Sequence, residues 1–175
     1  TEDDPVNPIN EYGRQKVEGE RIAATVAAGA LIIRTTVVYG RDLEGKNFVV
    51  RLVKSLREGK RVRVPYDQIG TPTYAENLAT IVEALVGRDA AGIYNVVGSD
   101  RVSRFEFSRQ VCAVFGLDES LLEAVDTPSL GQKARRPLNA GLRMDKVRSA
   151  VDVPVAGVKD GLMKLRSVYE QEGIA

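Results

Sequence analysis

Two residues near the start of the chain, Tyr12 and Lys16, have the types and the spacing to move a proton. Four residues apart on a helix, they lie on one face about one turn apart, which sets an ammonium beside a phenol. A free phenol titrates near pH ~10 and gives up its proton reluctantly at neutrality; a neighbouring cation stabilises the phenolate. A tyrosine so placed can protonate a carbonyl oxygen as hydride arrives at its carbon, and can take the proton back in reverse. The spacing alone fits an exposed, inert Tyr and Lys equally well, so the surroundings of the pair decide.

The elements that must position the pair read as α/β. Pro8 to about Ala28 is expected to form the first helix, with Asn7 as its cap. Leu31 to Val38 is a β-rich run that fits a buried parallel strand. Its polar interruption, Thr35-Thr36, falls toward the C-terminal end, where ligands bind in open α/β sheets. Phe48 to Glu58 repeats apolar residues at a helical period, and Gly59 stops it. Arg61 to Val64 is expected as a strand, Tyr74 to Val86 as a helix and Ile93 to Val97 as a strand. Ser103 and Glu106 have the spacing of a capping box, opening a helix that ends before Gly116. Asp118 to Glu123 reads as a short helix and Gly157 to Gln171 as the last one. Between them, Thr127 to Leu142 loses all periodicity among Pro, Gly and basic residues, as a functional or flexible loop does. These strands are too few for a complete doubly wound sheet.

Composition narrows the chemistry further. The 175 residues make one domain's worth of chain, long enough to bury a core. A net charge of +1 with scattered Lys and Arg carries no nucleic-acid footprint. The longest weakly polar run, Ile22 to Ile33, is roughly 12 residues, too short to cross a bilayer; with no signal peptide, a cytoplasmic location is expected. The chain has no histidine, so it offers no Ser-His hydrolysis and no imidazole-bound zinc, and proton transfer falls to Tyr, Lys, Asp or Glu. Cys112 is the sole cysteine and sits in the apolar pattern of a helix, which makes it core rather than metal ligand. No metal site is expected.

An ordered series of motifs changes the weight of the Tyr/Lys pair. Asn7-Pro8-Ile9-Asn10-Glu11-Tyr12-Gly13-Arg14-Gln15-Lys16, followed by Arg34-Thr35-Thr36-Val37-Val38-Tyr39-Gly40, resembles the extended short-chain dehydrogenase/reductase superfamily. Asp67-Gln68-Ile69-Gly70-Thr71-Pro72-Thr73, Glu76-Asn77-Leu78-Ala79, Gly92-Ile93-Tyr94-Asn95 and Arg136-Pro137-Leu138-Asn139 are similar to the branch containing dTDP-4-dehydrorhamnose reductases. The resemblance runs over nearly the whole chain. It implies the C-terminal part of an NAD(P)-binding Rossmann-like fold with its small substrate-binding subdomain, one α/β unit over residues 1–175. Residues 1 to about 45 would end the core and carry the Tyr/Lys helix, and about 46–175 would be mainly substrate-binding. The Gly-rich loop that cradles a cofactor pyrophosphate is not found after any strand. The expectation is therefore a truncated chain, inactive alone, that self-associates or pairs with a complementing upstream half.

The resemblance also implies roles. Tyr12 and Lys16 would be catalytic and, with Thr35 and Thr36, would meet NADPH or NADH; Asn47, Arg135 and Arg136 would meet a nucleotide-sugar substrate, the arginines through its diphosphate. Each has a plainer reading: strand material for the threonines, a helix cap for Asn47, solvated surface for the arginines. Where that branch carries a tryptophan before Val-Tyr-Gly, this chain has Val37, which offers no flat stacking surface to a sugar. Three functions follow: reduction of a nucleotide-linked 4-keto sugar, an epimerase or dehydratase of the same superfamily, or a non-catalytic subunit like the beta subunit of methionine adenosyltransferase. The last rests on Asp126-Thr127-Pro128-Ser129-Leu130-Gly131 and Arg136-Pro137-Leu138-Asn139-Ala140.

Overall fold

The computed structural model describes residues 1–172. In chain order the elements are α1 (Glu11–Val26), β1 (Leu31–Arg34), β2 (Val38–Tyr39), α2 (Phe48–Arg57), β3 (Val62–Pro65), β4 (Ile69–Gly70), β5 (Thr73–Tyr74) and α3 (Ala75–Val86). They continue as β6 (Gly92–Asn95), β7 (Val102–Ser103), α4 (Arg104–Phe115), β8 (Leu122–Val125), α5 (Asp145–Ala150) and α6 (Val158–Glu172). Short 3-10 turns lie at Glu119–Leu121 and Pro128–Leu130.

The strands pair two by two. β1 runs parallel to β6 with Leu31 opposite Gly92 and Arg34 opposite Asn95, β2 runs parallel to β5, and β3 runs parallel to β8. β4 and β7 are antiparallel. Among the described residues β1 has one strand neighbour, β6, so its other edge is unpaired.

Several boundaries differ from the sequence reading, each for a local reason. The cap of α1 is Asn10 rather than Asn7: its extended backbone turns the chain, and its side-chain oxygen accepts the Gly13 N–H at 2.8 Å. Pro8 holds Asn7 out of the helix, because a residue before proline avoids the helical region. The expected strand from Leu31 to Val38 stops at Arg34, since Val37 adopts a φ of 47° and breaks the pleat. The chain resumes as β2 against a different partner. Asp118 to Glu123 is a 3-10 turn that runs into β8, a strand the sequence reading missed, as it missed α5. The Ser103 capping box is present in full: Ser103 accepts the Glu106 N–H at 3.0 Å and Glu106 accepts the Ser103 N–H at 2.8 Å.

Two apolar clusters hold these elements. The larger joins α2, α4 and α6 through Leu52, Val53, Phe107, Val111, Leu162 and Leu165, with Tyr39 and Tyr74 packed among them. Gly161 makes this approach possible, since a Cβ there would lie 2.2 Å from the Tyr39 hydroxyl. Cys112 is buried in the same cluster, and burial pushes its thiol up to about 11, an unreactive core cysteine. The smaller cluster packs α3 and α5 around Val96 and Val97. By contrast, α1 contributes no buried residue, and Ile22 and Val26 are exposed along it.

Candidate active site

α1 carries the candidate pair, Tyr12 and Lys16, at its start. Asn10 fixes the first turn, so Tyr12 and Lys16 emerge from consecutive turns, and the Lys16 ammonium sits 5.2 Å from the centre of the Tyr12 ring. Tyr12 is 68% exposed and both side chains face solvent. One turn beyond Lys16, Glu20 grips Arg34 of β1 through two bonds of 2.9 and 2.7 Å. This forked, half-buried pair fastens α1 to the C-terminal end of β1. The same end carries Thr35 and Thr36.

The two threonines differ in setting. Thr35 is exposed, whereas Thr36 is tied to the turn between β4 and β5. Its hydroxyl donates to the Thr71 carbonyl at 3.0 Å and lies 2.9 Å from the Thr71 hydroxyl. The Thr73 hydroxyl donates back to the Thr36 carbonyl at 2.8 Å, and the Val37 carbonyl accepts the Thr73 N–H at 3.1 Å. The unusual backbone of Val37 is what delivers Thr36 to these partners.

A cleft of about 220 Å³ opens beside this turn, lined by Thr36, Val37, Gln68, Phe107, Arg104 and Arg136 among others. One face is apolar and two guanidinium groups supply its charge. Arg136 comes from the aperiodic loop, and that loop is tied to the start of α1, where the Asn10 amide donates to the Arg135 carbonyl at 2.8 Å. The cleft thus joins Thr36 to Arg136, and Asn10 ties the arginine loop to the start of α1. Asn47 lies elsewhere in role: its oxygen accepts the Val50 N–H at 3.1 Å and its nitrogen donates to the Gly40 carbonyl at 3.0 Å. The oxygen caps α2 and the nitrogen ties the cap to the loop after β2, so both halves of the amide are occupied and Phe48 falls at the first helical position.

The family model described as the RmlD substrate binding domain matches residues 1–170. The chain belongs to that family. The spore coat polysaccharide biosynthesis protein SpsK of Bacillus subtilis is 38% identical over 136 residues, covering 78% of this chain and 47% of its relative. The dTDP-4-dehydrorhamnose reductase of Escherichia coli is 34% identical over 155 residues, covering 83% of this chain and 51% of that enzyme. A dTDP-4-dehydrorhamnose reductase structure from Bacillus anthracis, in complex with NADP, superposes with a TM-score of 0.89 at 27% identity. That match covers 95% of this chain and 58% of the other. The chain spans about half the length of the relatives it matches.

Within this RmlD-like chain, the sequence reading overlooked Arg104. It stands just after the Ser103 cap, and nothing in the capping-box pattern marks the next residue as facing a cleft. The signal was the pairing of Phe48 with Arg104 across the fold, visible only once α2 and α4 pack. Among the described residues no cluster of acidic or sulfur side chains forms a metal site, and no helix is long and apolar enough to cross a membrane.

Proposed function

We propose that this chain is the substrate-binding side of an NAD(P)-dependent reductase acting on a nucleotide-linked 4-keto sugar, inactive until a dinucleotide-binding half joins it. The observation that carries the reading is the capped α1, which sets Lys16 over the Tyr12 ring and ties the same turn to the arginine loop. A nicotinamide supplies the hydride when bound. The residues here fit such a group: Lys16 presents an ammonium to solvent beside the phenol, as ribose hydroxyls require. Tyr12 gives its proton to the oxygen of the reduced carbonyl, and Lys16 stabilises the phenolate left behind. On this reading Thr35 and Thr36, just past the end of β1, meet the cofactor, and Arg135 and Arg136 face the charged part of the substrate. Asn47 acts through the helix it caps.

The test is nicotinamide oxidation by this chain mixed with the upstream half of its parent, offered several nucleotide 4-keto sugars. One nicotinamide consumed per sugar reduced is expected, and Tyr12→Phe should lower turnover by about 10²- to 10⁴-fold. Isomerisation or dehydration without net nicotinamide consumption would assign an epimerase or dehydratase instead. No turnover of any keto sugar, with a methionine adenosyltransferase partner captured, would favour the non-catalytic subunit.

A further inference from the structure

Arg104 is a guanidinium with nowhere to go inside the chain. It sits at the first position of α4, half-buried, and lines the cleft together with Arg136. Desolvation, followed by the charges of Arg51 and Arg136, pulls its pKa below the ordinary arginine value. Among the described residues no carboxylate offsets these effects. Four nearby acidic groups have other partners: Glu106 caps α4, Glu119 pairs with Arg109, Asp67 receives Thr127 and Asp126 receives Ser129.

The side chain is nevertheless held in place. Its guanidinium lies 4.5 Å from the centre of the Phe48 ring, and Phe48 stacks in turn on buried Phe107 at 5.9 Å and 28°. Stacking occupies the flat face of the guanidinium and leaves its N–H edge free to donate. Holding a half-buried cation beside two others opposes folding, and an anion in the cleft removes that opposition.

We infer that Arg104, stacked on Phe48 and lining the cleft with Arg136, is an anion-holding residue for a phosphate-class group, a diphosphate in particular. The inference rests on the nucleotide-sugar reading for the choice of diphosphate. Phe48 is its positioning residue, which gives the Asn47-Phe48 pair a role: Asn47 starts α2, and the helix start presents the ring.

Calorimetric titration of inorganic pyrophosphate into this chain at low ionic strength tests it. Arg104→Met should weaken binding by about tenfold or more, Arg104→Lys should recover part of the loss, and Arg57→Met, a surface control, should bind as the unaltered chain does. Phe48→Leu should weaken binding less than Arg104→Met. Without ligand, Arg104→Met should melt at the same temperature as the unaltered chain or higher, which a merely structural arginine would not allow. Three results would overturn the inference: no pyrophosphate binding by the unaltered chain, equal weakening by Arg57→Met, or a lowered melting temperature for free Arg104→Met. Tyr12→Phe should leave pyrophosphate binding intact. Loss of binding in Arg104→Met alongside a reconstituted protein that reduces no keto sugar would sink the reductase reading and leave the anion site standing.

Discussion

Val37 shows how one residue links backbone, cleft and substrate. A β-branched residue at a φ of 47° is strained, at a cost on the order of 1–2 kcal/mol. The strain is offset by the Thr36, Thr71 and Thr73 bonds that the turn allows. Glycine tolerates this conformation and alanine does not. Val37→Gly should therefore be more stable than Val37→Ala by about 1 kcal/mol in denaturant unfolding, although glycine removes more side chain. Equal stabilities would mean that the turn is not strained. The same residue shapes substrate choice in the proposed reaction, because its small aliphatic side chain lines the cleft where that reductase branch is expected to present an indole.

At the scale of elements, the capping box of α4 deserves a direct test, since it places Arg104. The Ser103 N–H bond, its largest influence, holds the Glu106 carboxyl below the usual glutamate range. A depressed folded pKa means that the cap stabilises fully above the unfolded value and that this contribution disappears as pH falls through the folded value. Stability should thus decline below pH ~4, and Glu106→Gln should show a shallower decline in the same window. Ser103→Ala should cost about 1 kcal/mol at neutral pH.

This box was readable in advance because its whole signal lies in four consecutive residues. So were α2, α3 and α6, whose apolar periods match the faces they bury, and so was the irregular loop around Arg135 and Arg136. The break at Val37 was not readable, because Thr-Thr-Val-Val has the composition of a strand and only its non-local partners, Thr71 and Thr73, turn it aside. β8 and α5 are too short to carry a period. Of the proposed site, Tyr12 and Lys16 come from the motif and its spacing, and the structure places them on consecutive turns of α1. Arg104 was not legible, since its meaning depends on Phe48, distant in sequence and adjacent in space.

At the scale of the molecule, the surface around α1 is unfinished. α1 buries no residue, Val26 is 76% exposed, and β1 has a free edge among the described residues. Apolar faces and open strand edges recruit partners. Light scattering on the chain alone should detect concentration-dependent association, and a complementing half should suppress it by covering that face. A monomer at high concentration would show that α1 and β1 are stable without cover.

On the proposed reading, Tyr12 and Lys16 form the proton-transfer side of a cofactor site that a second half completes. Titration of NADPH and NADH, followed by nicotinamide fluorescence, tests it most directly with the chain alone and then mixed with the upstream half of its parent. The account predicts no measurable binding alone, binding after mixing, and weaker binding when Lys16→Met is used in the mixture. Tight binding to the unmixed chain, or mixed binding indifferent to Lys16, would contradict it.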